Sequence, residues 1–293
     1  TMWWGSVTPD QQRMDDHSLV YDSEILDDPL EILGRPIARL SVSADAPRAN
    51  WVVRISDVAP DGRVTQVAGA AFNGTHRNSA REPEDVVPGE VFPLEFQLHF
   101  TSWVFPKGHR VRVAISNAQW PMLWPTPIPM SSTLEMGGEG GTRVELPVIP
   151  PGEERVPDFV LPEASPVLAG YETLDTGNIS GYAAITAIER DPETGEAYGV
   201  ATNTGATRYP WGIERFEEEI EHRTSDTNPA HTSVVGRYKL TEELVDRTLE
   251  FEQTVEFHSD EENFNLKFHR WVKVNGELLA EKTWDESIPR DFQ

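Results

Sequence analysis

The chain has 293 residues, with 25 basic against 49 acidic side chains and a formal net charge of −24. A negative surface of that size repels phosphate backbones and anionic headgroups, which argues against nucleic acid or an acidic membrane as a partner. Cysteine is absent, which excludes a disulfide framework and a thiol nucleophile and suits a reducing cytoplasm, the expected location.

With 38% hydrophobic residues and no apolar run approaching about 18 residues, the chain reads as soluble and without a membrane-spanning helix. Its length predicts two domains, each able to bury a core. The opening Thr1-Met2-Trp3-Trp4-Gly5 reads as cut from a longer polypeptide. Five of the basic residues are lysine, and a well-solvated acidic surface is favoured over salt adaptation as the reason.

Residues 1–16, two tryptophans followed by a polar Asp-rich stretch, are expected as a tail or linker. Ser18-Leu19-Val20-Tyr21 is a short strand, and Ile37, Leu40 and Val42 pack along a longer one. The clearest element spans Asn50 to Gly69: Trp51, Val53 and Ile55 alternate with Val52, Arg54 and Ser56, the period of a strand with one apolar face. Ala59-Pro60-Asp61-Gly62 reverses the chain, because Pro60 presets φ, Asp61 bonds its own backbone and Gly62 takes a positive φ. Phe92, Leu94, Phe96, Leu98 and Phe100 keep a period of two, as do Val111, Val113 and Ile115, and Arg143 to Leu146 is a last short strand. About eight short strands with Gly, Pro and Asp punctuation predict a jelly-roll β-sandwich over residues 17–150.

Prolines at 147, 150, 151, 157, 162 and 166 mark a stiff linker, placed at residues 151–166. Residues 167–293 are again strand-rich. Leu249, Phe251, Val255 and Phe257 form one apolar face with Glu250, Glu252, Thr254 and Glu256 opposite, and Phe264 to Val274 continues it. Asn275-Gly276 then signals a two-residue hairpin in which Val272 faces Leu279 and Arg270 faces Glu281. A twisted antiparallel meander or partial barrel is expected.

Chemistry is hard to find in these residues. Gly177-Asn178-Ile179-Ser180-Gly181 places its serine one position too late for a nucleophile elbow, and no helix follows. The eight histidines show no His-x-x-x-His spacing, and the acidic runs at Glu217 and Asp260 lack a calcium-loop pattern, so neither catalytic residues, metal nor cofactor is expected. Asn73-Gly74-Thr75 and Asn178-Ile179-Ser180 match glycosylation acceptors but are discounted without a secretory signal. The feature that stands out is aromatic: Trp103, Trp120, Met122 and Trp124, with prolines at 121, 125, 127 and 129. Such a loop could present a stacking platform, dock on another domain, or fold back to plug the sandwich end.

Tyr21-Asp22-Ser23-Glu24, Leu30-Glu31-Ile32-Leu33-Gly34, Val53 through Arg63 and Trp103 through Ser116 together resemble the C-terminal β domain of the CocE/NonD hydrolases. The resemblance covers roughly residues 17–148; residues 165–293 are similar to a C-terminal extension of longer members. It implies an all-β chain, a galactose-binding-like jelly roll followed by a second antiparallel β-rich domain, attached to an α/β-hydrolase domain that holds the Ser-Asp-His triad. It implies a non-catalytic, accessory role in ester or Xaa-Pro dipeptide hydrolysis, with that catalytic domain as partner in the same polypeptide and oligomer contacts available. The aromatic residues 103, 120, 122 and 124 become candidates for the pocket wall or domain contact. A free-standing carbohydrate-binding or assembly module is the alternative.

Overall fold

The computed structural model describes residues 10–137, 141–150, 160–177 and 185–293, with the backbone alone for 185–188. Trp3 and Trp4, the Asn178 acceptor and most of the proline-rich linker lie outside the described residues. The chain divides into two units, Thr1–Val156 with Phe292–Gln293, and Pro157–Asp291.

The first unit opens with a short helix α1 (Gln12–Asp15) and continues through β1 (Leu19–Asp22), β2 (Leu30–Gly34), β3 (Ile37–Ala44), β4 (Asn50–Val58) and β5 (Val64–Asn73). It is completed by β6 (Phe92–Gln97), β7 (Thr101–Phe105), β8 (Arg110–Ser116), β9 (Ser132–Leu134) and β10 (Arg143–Glu145). One sheet runs β1-β8-β4-β5; a second runs β10-β3-β6 with β9 also on β3; β2 and β7 form a separate pair. All these pairings are antiparallel. Trp51, Val53, Ile55 and Ile115 from the first sheet interdigitate with Leu40, Val42, Leu94 and Phe96 from the second, and Ile32 and Phe105 seal the layer in one continuous core. Each such side chain contributes about 1.5–3 kcal/mol on burial. This is the expected β-sandwich.

The 59–62 turn is built as the residues require. Gly62 adopts φ 90°, its N–H donates to the Ala59 carbonyl at 2.9 Å, and the Arg63 N–H donates to Asp61 Oδ1 at 3.1 Å. Two expectations differ. The period-two run ends at Gln97 and Phe100 is 60% exposed, because the chain leaves the sheet there before β7. Also, β4 is buried on both faces, Arg54 included, because it lies at the sheet's centre and a neighbouring segment covers its outer side.

That cover comes from the stretch expected as a tail or linker. From Asp10 onward it packs on the sheet. Arg54, 2% exposed, donates to Asp15 Oδ1 at 2.9 Å, Gln11 Oε1 at 3.1 Å and Ser18 Oγ at 3.2 Å. Asp15 Oδ2 receives Arg112 at 2.9 Å, and Arg112 grips both oxygens of Asp22 at 2.7 and 2.8 Å. Asp15 and Arg54 thus neutralise one another where water is excluded, while Arg112 and Asp22 continue the network toward the surface.

The second unit comprises β11 (Glu172–Asp175), β12 (Ile185–Arg190), β13 (Glu196–Tyr209), β14 (Gly212–Ser225), β15 (Ser233–Leu244), β16 (Thr248–Ser259), β17 (Asn263–Val274) and β18 (Glu277–Pro289). From β13 to β18 each strand pairs with the next, a meander that among the described residues stays open, with β18 paired to β17 alone. Its register aligns Ala201, Ile220, Gly236, Val255, Phe268 and Trp284 in one row, and Gly205, Phe216, Leu240, Phe251 and Val272 in another. Phe257–Phe264 and Phe268–Trp284 ring contacts at 5.7 and 5.2 Å tie this face together. The other face is charged, with Arg237 reaching Glu219 at 2.8 Å and Glu221 at 3.3 Å. Exposed pairs of this kind add little stability.

The final hairpin forms at Asn275-Gly276 with Val274 opposite Glu277, as expected, but a bulge between Val272 and Lys273 displaces the pairs farther from the turn. Val272 therefore faces Ala280 and Arg270 faces Lys282, while Glu281 lies opposite Trp271 and accepts from His269 Nε2 at 2.8 Å. One extra residue on a strand shifts every pairing beyond it, so the expected Arg270–Glu281 pair is replaced.

Candidate aromatic site

The segment from Asn117 to Ser131 leaves the end of β8 and returns as β9. Its proline density prevents regular structure. Leu123 N–H closes a turn on the Gln119 carbonyl at 2.9 Å, with Gln119 and Thr126 buried beneath. That turn brings Trp120 and Trp124 into a T-shaped contact with centroids 5.1 Å apart. Met122 lies between them in the sequence, and all three are half-buried. A partly sunken edge-to-face pair is a rigid apolar feature that can anchor a partner surface.

Trp103 is placed elsewhere. It stands on β7 opposite Ile32, packs against the sandwich core, and donates from Nε1 to Asp57 Oδ2 at 3.1 Å. Asp57 pairs with Val111, near the start of β8, whereas the Trp120 loop leaves from Ser116 at its finish. Trp120, Met122 and Trp124 therefore form one feature and Trp103 belongs to another.

That other feature contains a histidine and a carboxylate, which sequence reading did not link. His109 follows Gly108, and its Nδ1 lies 2.7 Å from Asp57 Oδ1. Asp57 is 5% exposed, so its two oxygens are occupied by the imidazole and the indole N–H. An aspartate holding a histidine is half of a nucleophile-activating relay, but no described hydrogen bond brings a serine or threonine hydroxyl to the outer nitrogen of His109. The pair ties β4 to β7 and to the turn before β8 through the two oxygens of Asp57. Asp57→Ala would leave two donors without an acceptor, and urea unfolding should show a loss of about 2–4 kcal/mol.

A hydroxyl–histidine contact occurs at Thr75, whose Oγ1 lies 3.0 Å from His76 Nδ1. Thr75 is fully buried and is also bonded to Asn73 Oδ1 and the Phe292 carbonyl, so it has no room for a substrate. Asn73 in turn donates from Nδ2 to Phe292, which engages the amide of that glycosylation-like triplet. Among the described residues no group of His, Asp and Glu converges as a metal site, and no helix is long and apolar enough to cross a membrane.

Comparison with known proteins gives these residues a context. Residues 2–142 match the protein family described as the X-Pro dipeptidyl-peptidase C-terminal non-catalytic domain. The cocaine esterase of Rhodococcus sp. (strain MB1 Bresler) is 33% identical over 106 residues, covering 36% of this chain and 18% of that enzyme. A relative from Mycobacterium bovis is 30% identical over 166 residues, covering 49% of this chain and 26% of its own length. The solved α-amino acid ester hydrolase is 25% identical with a TM-score of 0.46, covering 48% of this chain and 27% of that one. The chain thus spans between 18% and 27% of the length of these relatives.

Proposed function

We propose, from the match of residues 2–142 to the X-Pro dipeptidyl-peptidase C-terminal non-catalytic domain family, that this chain is the accessory region of a serine hydrolase. The family match carries the reading. An α/β-hydrolase domain of the same polypeptide would perform ester or Xaa-Pro dipeptide hydrolysis through an acyl-enzyme. The sandwich would pack on that domain and wall its pocket, with Trp120, Met122 and Trp124 as the contact. Trp103, tied to Asp57, would support the sandwich itself.

The half-buried Trp120–Trp124 pair supports this contact, since rigid aromatics seated in apolar surroundings dominate the energy of an interface. The test uses the polypeptide that carries both parts. p-Nitrophenyl esters and Xaa-Pro p-nitroanilides should be turned over by it and left intact by the 293-residue chain alone. Trp120→Ala with Trp124→Ala should lower kcat/KM about tenfold or more. Turnover by the isolated chain that survives repurification, or unchanged kcat/KM in the double variant, would refute the reading.

A further inference from the structure

A cleft of about 300 Å³ opens in the first unit where β1 and β8 of one sheet diverge from β9 of the other. Its size falls at the small end of ligand clefts, about 300–1,000 Å³. The floor is apolar: Leu19, Ile115 and Leu134, with Trp51 beneath. Trp51 is 2% exposed and held edge-on by Phe92 at 5.4 Å, so it supplies a fixed base and no open stacking face. Recognition at such a site must come from the rim.

The rim carries hydroxyls and an amide from the end of β8 and from β9, Ser116, Asn117, Ser132 and Thr133, while the neighbouring Ser18 hydroxyl is engaged, donating to the Met14 carbonyl at 3.1 Å and accepting from Arg54 at 3.2 Å. Asn117 Nδ2 donates to Ser132 Oγ at 3.4 Å, linking the end of β8 to β9. That contact leaves Asn117 Oδ1 as an acceptor and the Ser132 hydroxyl proton as a donor. Ser116 donates to the Ala118 carbonyl at 3.1 Å and keeps its lone pairs. Thr133 and Asp16, both lining the cleft, make no described side-chain hydrogen bond.

We infer that this cleft binds a small neutral polyhydroxylated ligand of monosaccharide size. Groups that both donate and accept suit a ring of hydroxyls, and the apolar floor suits the C–H surface of such a ring. The carboxylate of Asp16, within a chain of net charge −24, disfavours a phosphorylated or acidic sugar, and the His17 imidazole beside it is the one lining group able to oppose that charge.

Saturation-transfer NMR on the 293-residue chain with D-glucose, D-galactose and D-mannose tests this, with glucose 6-phosphate as the anionic comparison. At least one neutral hexose should bind with Kd on the order of 1 mM, and glucose 6-phosphate about tenfold more weakly. Thr133→Val and Asn117→Leu should each weaken binding about tenfold, with far-UV circular dichroism unchanged in both and Tm unchanged in Thr133→Val. If Asn117→Leu does not fold, Thr133→Val on exposed β9 decides alone. No binding by any neutral hexose at about ten times that concentration, equal binding of the phosphate, or binding indifferent to the folded variants would overturn the inference.

Discussion

Asp15→Ala is expected to lower the unfolding free energy of the first unit by about 3–5 kcal/mol, because it strands a buried guanidinium. Arg54 is 2% exposed and Asp15 8%. Burial pushes the Arg54 guanidinium down from its ordinary value while Asp15 opposes that shift. Removing the carboxylate leaves the desolvation and the repulsion from Arg112, with only the neutral acceptors Gln11 and Ser18 against them. Arg54→Met combined with Asp15→Ala should recover much of the loss, since a buried ion pair replaced by apolar groups of similar volume is close to neutral. Urea denaturation of both variants measures the difference, and equal stabilities would refute the account.

Acid should weaken the same network. The hydrogen bond from Arg112 holds the Asp22 carboxyl below its ordinary value, against a smaller opposing effect of burial. A carboxylate whose folded pKa is depressed contributes stability that is present above the unfolded value, about 3.9, and lost as pH falls through the folded one. Below about pH 4, the wild-type chain should lose stability more steeply than Asp22→Asn, and parallel pH curves would contradict this.

The second large effect is expected at Trp51. Trp51→Ala removes a fully packed indole from the core and should cost about 3–5 kcal/mol. Its position depends on Gly74, where an added Cβ would collide with the Trp51 ring and come within 3.1 Å of the Ala49 carbonyl. Gly74→Ala should therefore cost about 1–3 kcal/mol by overpacking. Trp51→Phe removes part of the obstructing ring, so the double variant should be less damaged than the two single losses predict. Additive losses would show that Gly74 matters for some reason other than that ring.

These effects show where sequence reading carries through. Strands with a simple period, such as the run around Trp51 and the Leu249–Phe257 face, are set by local alternation and form accordingly. Arg54 sits at an outward position in that alternation, and only the fold reveals that residues 10–18 cover it. The bulge opposite Val272 and Lys273 places its extra residue at Leu279 on β18, an ordinary strand residue that gives no warning of it. Clustered prolines and tryptophans made the Trp120 loop visible, but the separation of Trp103 from it depends on which end of β8 each approaches. The polar cleft combines residues 16–19, 51, 115–117 and 132–134, an assembly that no linear spacing could disclose.

The ionic clasp on Arg54 also fixes where this module can be cut. A fusion that starts at β1 would discard Gln11 and Asp15 and leave an unshielded cation at the centre of its sheet. Transplanting the sandwich onto another scaffold should therefore begin upstream of Asp10, so that the join falls outside the clasp.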